Sequence, residues 1–342
     1  MPVSLNYLIK RFFWSIVVLI GVVVFSYLVI ILSPGDPAVK WAGNPRGVNA
    51  TLAIETARRE LGLDKPLYLQ VIDFVFKVFT GDLGTSIAYK QPVFSIIYTN
   101  IAATLELLFC SYIIALPIGI FLGVYSALHR DEFVDDLLQS IGTIMANTPA
   151  FWLGAIVFLI LVSTGNPVYG RIDTRLVLET GFKPITGFYL LDSILQGNIL
   201  IFFDVLGKLI PPSLIIGIYP LGLSIRLTRT LLAESLTEDF VRVAVAWGVK
   251  RRRVIWRYAF RASIPALVQV SGLAFAYSLI DAMVVEYAIF GREGLGRLLV
   301  DALNYSDFKL AIGLLVTVTL FYLIINTLAD VVQALIDPRV KL

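Results

Sequence analysis

Residues 102–128 read AATLELLFCSYIIALPIGIFLGVYSAL, a run of 27 positions with a single charge, Glu106. A hydrocarbon core about 30 Å thick needs roughly 20 residues of helix to cross it. Backbone in lipid must satisfy its own hydrogen bonds, so a continuous apolar run this long is a membrane helix rather than a barrel strand. Five more stretches share the pattern: Phe12 to Leu32, Leu137 to Val162, Leu209 to Leu227, Ala262 to Phe290 and Leu310 to Leu335. The predicted fold is all-α, a polytopic membrane bundle of six transmembrane helices. The first span follows Lys10 and Arg11 but is too long for a signal-peptide core and ends in Ser33-Pro34-Gly35-Asp36-Pro37 rather than a cleavage site, so it reads as a retained helix.

The totals agree. Of 342 residues 58% are hydrophobic and 15% charged, and the mean hydropathy of +0.82 exceeds what one soluble core can hide. A net charge of +3 argues against nucleic acid as a partner. One cysteine, Cys110, excludes a disulfide framework, and one histidine, His129, excludes any site of two imidazoles. His129, beside Arg130, reads as an interfacial loop residue.

Lys and Arg set the orientation. Arg226 to Arg261 carries nine of them against Glu234, Glu238 and Asp239, which makes this loop cytoplasmic by the positive-inside rule. Six spans then put both termini in the cytoplasm, Lys10 and Arg11 at one end and Arg339 and Lys341 at the other. The loop His129 to Asp136 dissents, with Arg130 against Asp131, Glu132, Asp135 and Asp136, but acidic residues weigh little in that rule. The chain divides into three regions: residues 1–32, an extracytoplasmic cap at 33–101, and a transmembrane domain at 102–342 with an outer loop at 163–208 and a basic cytoplasmic loop at 228–261. The cap holds helix-compatible stretches at Leu52 to Leu61 and Leu67 to Phe79, broken at Lys65-Pro66, Gly81 and Gly84. The outer loop carries an amphipathic stretch from Tyr189 to Leu206, suited to the membrane surface or to the bundle.

The basic loop is the informative segment. Thr237 reads as an N-cap, Glu238 and Asp239 suit a helix N-terminus, and Phe240, Val243, Ala244 and Trp247 share an apolar face. Gly248 stops this helix by adopting positive φ, and Lys250 to Phe260 resumes helical spacing. There Val254, Ile255, Tyr258 and Ala262 line one side and Arg253, Arg257 and Arg261 another. The prediction is a helix, sharp turn, helix unit.

Phe240-Val-Arg-Val-Ala-Val-Ala-Trp-Gly248, with Arg257-Tyr-Ala-Phe-Arg-Ala-Ser-Ile-Pro265 after it, resembles the coupling loop of binding-protein-dependent ABC importer permeases, most closely the dipeptide and oligopeptide branch. Of the general Glu-Ala-Ala, three residues, Gly pattern only Ala244 and Gly248 match. Further motifs fall in the family's order: Ser33-Pro-Gly-Asp-Pro37, Leu61-Gly-Leu-Asp-Lys-Pro-Leu-Tyr68, Gly81-Asp-Leu-Gly-Thr-Ser86, Ala103-Thr-Leu-Glu-Leu107, Pro149-Ala-Phe-Trp-Leu-Gly154, Arg226-Leu-Thr-Arg229, Glu286 with Phe290 and Gly294-Leu-Gly296, Asn326 with Asp330, and Asp337-Pro-Arg339. The resemblance implies a second homologous permease subunit, two ABC ATPase subunits, an extracytoplasmic solute-binding protein and a lipid-embedded location in the cell membrane. It also implies Arg242, Ala244, Ala246, Trp247, Gly248 and Arg252 as the ATPase-coupling residues.

Acidic groups inside spans are costly and invite a transport role. Glu106 and Asp330, near helix ends, read as structural; Asp281 and Glu286, deeper in the fifth span, are candidates to line the translocation path. Gly291-Arg-Glu-Gly-Leu-Gly296 reads as a turn or gate, since no strand precedes it and no Lys-Ser pair comes after it. No Gly-x-x-x-x-Gly-Lys loop occurs, so the chain carries no cofactor of its own and ATP with Mg²⁺ belongs to the partner ATPases. The chain reads as a non-catalytic subunit. The same machinery importing oligosaccharides or another small solute is the alternative for cargo. A secondary transporter would show inverted repeats, and an intramembrane enzyme a nucleophile with its base; the sequence shows neither.

Overall fold

The computed structural model describes residues 5–32, 36–43, 45–47, 49–60, 62–166 and 168–336. The quoted motifs at Ser33-Pro34-Gly35 and Asp337-Pro-Arg339, Leu61, and the C-terminal Arg339 and Lys341, lie outside them. Among the described residues every regular element is a helix, and the one pairing of extended backbone is an isolated bridge between Thr85 and Pro92. The helices are α1 (Leu5–Leu32), α2 (Pro37–Trp41), α3 (Ala50–Glu60), α4 (Leu67–Phe79), α5 (Val93–Leu128), α6 (Phe133–Asn147), α7 (Ala150–Ser163), α8 (Thr174–Thr180), α9 (Tyr189–Leu195), α10 (Ile199–Thr237), α11 (Asp239–Ala246), α12 (Arg251–Arg253), α13 (Phe260–Val284), α14 (Leu295–Asn304) and α15 (Phe308–Ile336), with π-helical turns at Val254–Ala259 and Val285–Ile289.

Five of these are long and apolar enough to cross a membrane: α1, α5, α10, the continuous rod Arg251–Ile289, and α15. The third expected span, Leu137 to Val162, is not one rod. It consists of α6 and α7, bent by 94° where they meet, and counts as a sixth span only as a broken one. Pro149 explains the break. Its ring forces Thr148 out of the helical region, to φ −81° and ψ 123°, and its nitrogen has no hydrogen to continue the ladder. The amphipathic stretch Tyr189 to Leu206 is likewise split, between α9 and the first turns of α10.

Two compact units make up the described chain. The larger holds the residues up to Ile9, Ala102–Gly296 and those from Tyr322 on. In it α10 touches α6, α7, α8, α9, α11 and α13. Small residues let α10 approach its neighbours at backbone distance. A Cβ at Gly123 of α5 would lie 2.7 Å from Ile225 O, and one at Gly222 would lie 2.5 Å from Gly142 O of α6. Any larger side chain at either crossing would push the helices apart.

The other unit holds Lys10–Ile101 and Arg297–Phe321. Leu19 and Val23 of α1, Val78 of α4, and Ile312 and Val316 of α15 form its core, with Phe74, Val75 and Leu83 against them. Tyr27 Oη donates to Gln70 Oε1 at 2.9 Å and its ring meets Phe74, so α4 follows α1. The Gly81 to Ser86 motif has a structural job here. Asp307, fully buried, accepts from Ser86 Oγ, from Ala88 N at 3.0 Å and from Leu310 N at 3.1 Å, tying the loop to the first turn of α15.

Asp307→Ala strands those three donors, and each unpaired buried group costs about 1–3 kcal/mol. The variant should therefore lower the unfolding temperature of the purified protein in a detergent thermal-shift measurement, whereas Asp307→Asn should recover part of the loss. An unchanged melting curve for the alanine variant would contradict this role.

Candidate functional site

The basic loop folds as two helices about a glycine turn, with details that differ from the periodicity. α10 runs on through Thr237, whose hydroxyl donates to Glu234 O at 2.7 Å, so Thr237 is not the cap of the next helix. Glu238, in extended conformation, is the cap position, and Asp239 opens α11. The end of α11 is a complete Schellman motif: Gly248 N donates to Val245 O at 2.9 Å and Val249 N to Ala244 O at 3.1 Å. It requires the left-handed backbone that Gly248 supplies at φ 73°.

Which side of α11 is buried also differs. Val241 and Ala244 point inward, into a cluster with Val124 and Ala127 of α5, Leu232 of α10, and Val254 and Ala259 of the π turn. Ala244 is 7% exposed and packs on its own chain, while Trp247 stands 85% exposed with Phe240 and Val243 beside it. Arg242, Ala246, Gly248 and Arg252 are exposed as well. The helix thus has one apolar face spent on the bundle and a second left outside.

Beyond the turn, Val254 to Ala259 is π-helical, and the extra residue moves the buried set to Val254, Ile255, Ala259 and Ser263. Tyr258 and Ala262, expected on that side, are exposed. An ion-pair network lies in the same unit. Arg229 Nε donates to Asp135 Oδ1 and Oδ2 at 3.0 and 3.2 Å, its Nη2 also bonds Oδ2, and Ser126 Oγ donates to Oδ1. Asp135, read from sequence as a loop charge dissenting from the orientation rule, is in fact enclosed and neutralised by Arg229. Its only sequence signal was the helical period that places it at the third position of α6.

The two acidic candidates of the fifth span separate. Asp281, on α13, is half-buried in a cleft of about 360 Å³ lined with Tyr219, Tyr277 and Ile280. Glu286, in the second π turn, is fully buried: its Oε1 accepts from Thr104 Oγ1 at 2.9 Å and from Gly296 N at 2.7 Å. The helical period alone could not show that Glu286, in the π turn, faces into the bundle. Gly296 is obligatory for this clasp, since a Cβ there would lie 1.9 Å from Met283 O. The Gly291 to Gly296 string is a tight turn, in agreement with its sequence, with Gly291 at φ 58°.

The family model described as the binding-protein-dependent transport system inner membrane component matches residues 116–342, and the one for the N-terminal part of such membrane components matches 4–118. The chain belongs to this family of binding-protein-dependent transport permeases. Among relatives of the permease is the probable D,D-dipeptide transport system permease protein DdpB of Escherichia coli K12, 37% identical over 330 residues covering 96% of this chain and 95% of that one. The dipeptide transport system permease protein DppB of the same strain is 32% identical over 339 residues, covering 98% and 99%. The di/tripeptide transport system permease protein DppB of Pseudomonas aeruginosa UCBPP-PA14 is 33% identical over 339 residues, with the same coverage.

The permease's segment between α7 and α10 is organised by two buried carboxylates. Asp192 accepts from Ile185 N at 3.0 Å, Thr186 N at 3.0 Å and Thr186 Oγ1 at 2.7 Å. Burial works against its charge, but the donors from Thr186, Ile185 and Gly187 outweigh burial and hold the carboxyl below its ordinary value. Glu106 accepts from Leu190 N at 2.7 Å and from Arg171 at 3.0 Å. Arg292, entirely enclosed, is lowered to about 10 by burial and then by Arg171, with Glu106 and Glu286 pulling the other way, so it remains a cation at neutral pH.

Ala244→Phe overfills the α11 seat and should destabilise the permease by about 1–3 kcal/mol, whereas Trp247→Ala should leave its melting temperature unchanged; thermal shift on both variants checks this. Because Asp192 is depressed in the folded state, its stabilisation is complete above the ordinary carboxylate range and is lost as pH falls through the depressed value. Limited proteolysis between residues 181 and 189 should therefore accelerate as the pH is taken below about 4, and Asp192→Asn should cleave faster at neutral pH too.

Proposed function

We propose that the chain is the permease subunit of an ATP-driven importer of peptides, forming the translocation path with a second permease subunit. Two ATPase subunits power the complex, one of them seated against its basic loop; an extracytoplasmic binding protein delivers cargo to the opposite side, and both termini are cytoplasmic. The observation that carries the reading is the divided surface of α11. Val241 and Ala244 bolt the helix to α5 and α10, while Phe240, Val243 and Trp247 present an apolar ridge with no partner among the described residues. A short rigid helix held on one side and offered on the other is what a subunit needs to receive force from a closing ATPase. Ala246, Gly248, Arg242 and Arg252 surround that ridge, and Ala244 serves it from behind.

The chain does no covalent chemistry in this scheme. A loaded binding protein docks outside, ATP closes the partner subunits, α11 moves with them, and the path opens to take the cargo; hydrolysis resets it. Peptide cargo rests on the names of the relatives, and Asp281 suits it. Its carboxylate, in a cleft with two tyrosines, matches the charged amino terminus that free peptides carry.

In a complex reconstituted in lipid with its ATPases and binding protein, Trp247→Ala should reduce alanyl-alanine uptake and coupled ATP hydrolysis about thirtyfold, the equivalent of a ~2 kcal/mol interface anchor. Full activity in an assembled Trp247→Ala complex would place the seat elsewhere. Asp281→Asn should raise the KM for alanyl-alanine uptake about tenfold with the maximal rate little changed, a loss of ~1.4 kcal/mol in cargo recognition. Equal KM values would remove Asp281 from the path.

A further inference from the structure

Arg171 and Arg292 compete for one oxygen atom. Arg171 Nη2 donates to Glu106 Oε2 at 3.0 Å, and Arg292 Nη2 stands 3.6 Å from the same oxygen. Arg171 has won the contest. Its Nη2 also donates to Gly187 O at 2.6 Å, and its guanidinium lies 3.6 Å from the centre of the Tyr189 ring. Glu106 Oε1 is taken by Leu190 N. Both hydrogen bonds to Glu106 thus come from one stretch of chain, residues 171–190. Arg292 has lost: it is 0% exposed, and its Nε, Nη1 and Nη2 have no hydrogen-bond partner among the described residues. Glu286 Oε2, nearby in the same enclosure, also has none.

A buried guanidinium with no hydrogen-bond partner is an unfavourable arrangement unless a better one is unreachable. Here a better one lies a fraction of an ångström away, at the oxygen that Arg171 already holds. If Arg171 leaves, Glu106 is not stranded, because Arg292 is in place to accept it. The exchange leaves a cation facing Glu106 in either arrangement, Arg171 in one and Arg292, already 3.6 Å away, in the other. It therefore meets the requirement for a two-state element, two discrete arrangements close in free energy. Arg171 is tied to its own segment through Gly187 and Tyr189, and that segment rests on α10 through Phe182 and through Asp173 N, which donates to Asp204.

We infer that Glu106 is a docking latch: Arg171 holds it in the resting permease, and when the binding protein draws the 171–190 segment outward, Glu106 passes to Arg292. The inference rests on the importer reading above, which puts this segment on the extracytoplasmic side. Arg171, Arg292 and Glu106 act here by positioning, without touching cargo. A static staple made of the same residues would contribute to stability but not to the response to the binding protein.

The test is ATP hydrolysis by the complete complex in lipid nanodiscs, with and without binding protein loaded with alanyl-alanine, read as the ratio of the two rates. Arg171→Gln should raise the rate without binding protein severalfold, collapsing the ratio from below. Arg292→Gln should collapse it from above, by lowering the stimulated rate. Glu106→Gln combined with Arg171→Gln should do no more than either alone. Tyr189→Leu loosens Arg171 without uncovering a charge and should give an intermediate ratio, and it decides the matter if Arg171→Gln fails to assemble. A wild-type ratio in assembled Arg171→Gln, or in Tyr189→Leu should that be the deciding variant, overturns the latch, as does a parallel fall of both rates. Absence of stimulation in the wild-type complex would instead overturn the importer reading on which the latch depends.

Discussion

Gly123 on α5 and Gly222 on α10 bring three helices to within backbone contact, and the polar chemistry of the larger unit is arranged around that closeness. Helices in lipid gain little from burying apolar surface against one another, because the lipid is as apolar as they are. Close van der Waals contact and internal hydrogen bonds must hold them instead. A methyl group at either crossing would separate the rods, and with them Ser126, Asp135 and Arg229, whose bonds span α5, α6 and α10.

Two enclosed charge clusters occupy different stretches of α5. Ser126 reaches the Asp135–Arg229 pair, and Thr104 with Glu106 reaches Glu286, Arg171 and Arg292. The first is fully bonded, with Arg229 gripping the carboxylate at several points. The second leaves polar atoms unsatisfied on both Arg292 and Glu286. That difference separates a fixture from a device: a saturated pair resists change, and an unsaturated one has an alternative arrangement within reach.

The two π turns do similar work at either end of the fifth span. Each inserts a residue into the helical count and so re-aims the side chains beyond it. At Val254–Ala259 the turn seats the helix against α11 through Val254 and Ala259, and it buries Ile255 and Ser263 rather than Tyr258 and Ala262. At Val285–Ile289 it turns Glu286 into the bundle, within reach of Thr104 and Gly296, and leaves Asp281 one turn earlier at the cleft. A period of 3.6 carried through the whole span places these residues wrongly.

Residues 102–128 and the other apolar runs established the membrane class and the helical fold unaided, since hydropathy over 20 residues depends on composition alone. Gly248 was equally legible, because a helix stop with positive φ is a local property of one residue. Pro149 carried its own signal for the bend, masked by the hydropathy on both sides of it. The tertiary structure alone decided the inward face of α11, the π turns, the burial of Asp135 and Glu286, and the meeting of Arg171 and Arg292 over Glu106. Those depend on which neighbour lies opposite and how near it comes, and a charge 65 residues away along the chain leaves no trace in the local pattern of the helix it will meet.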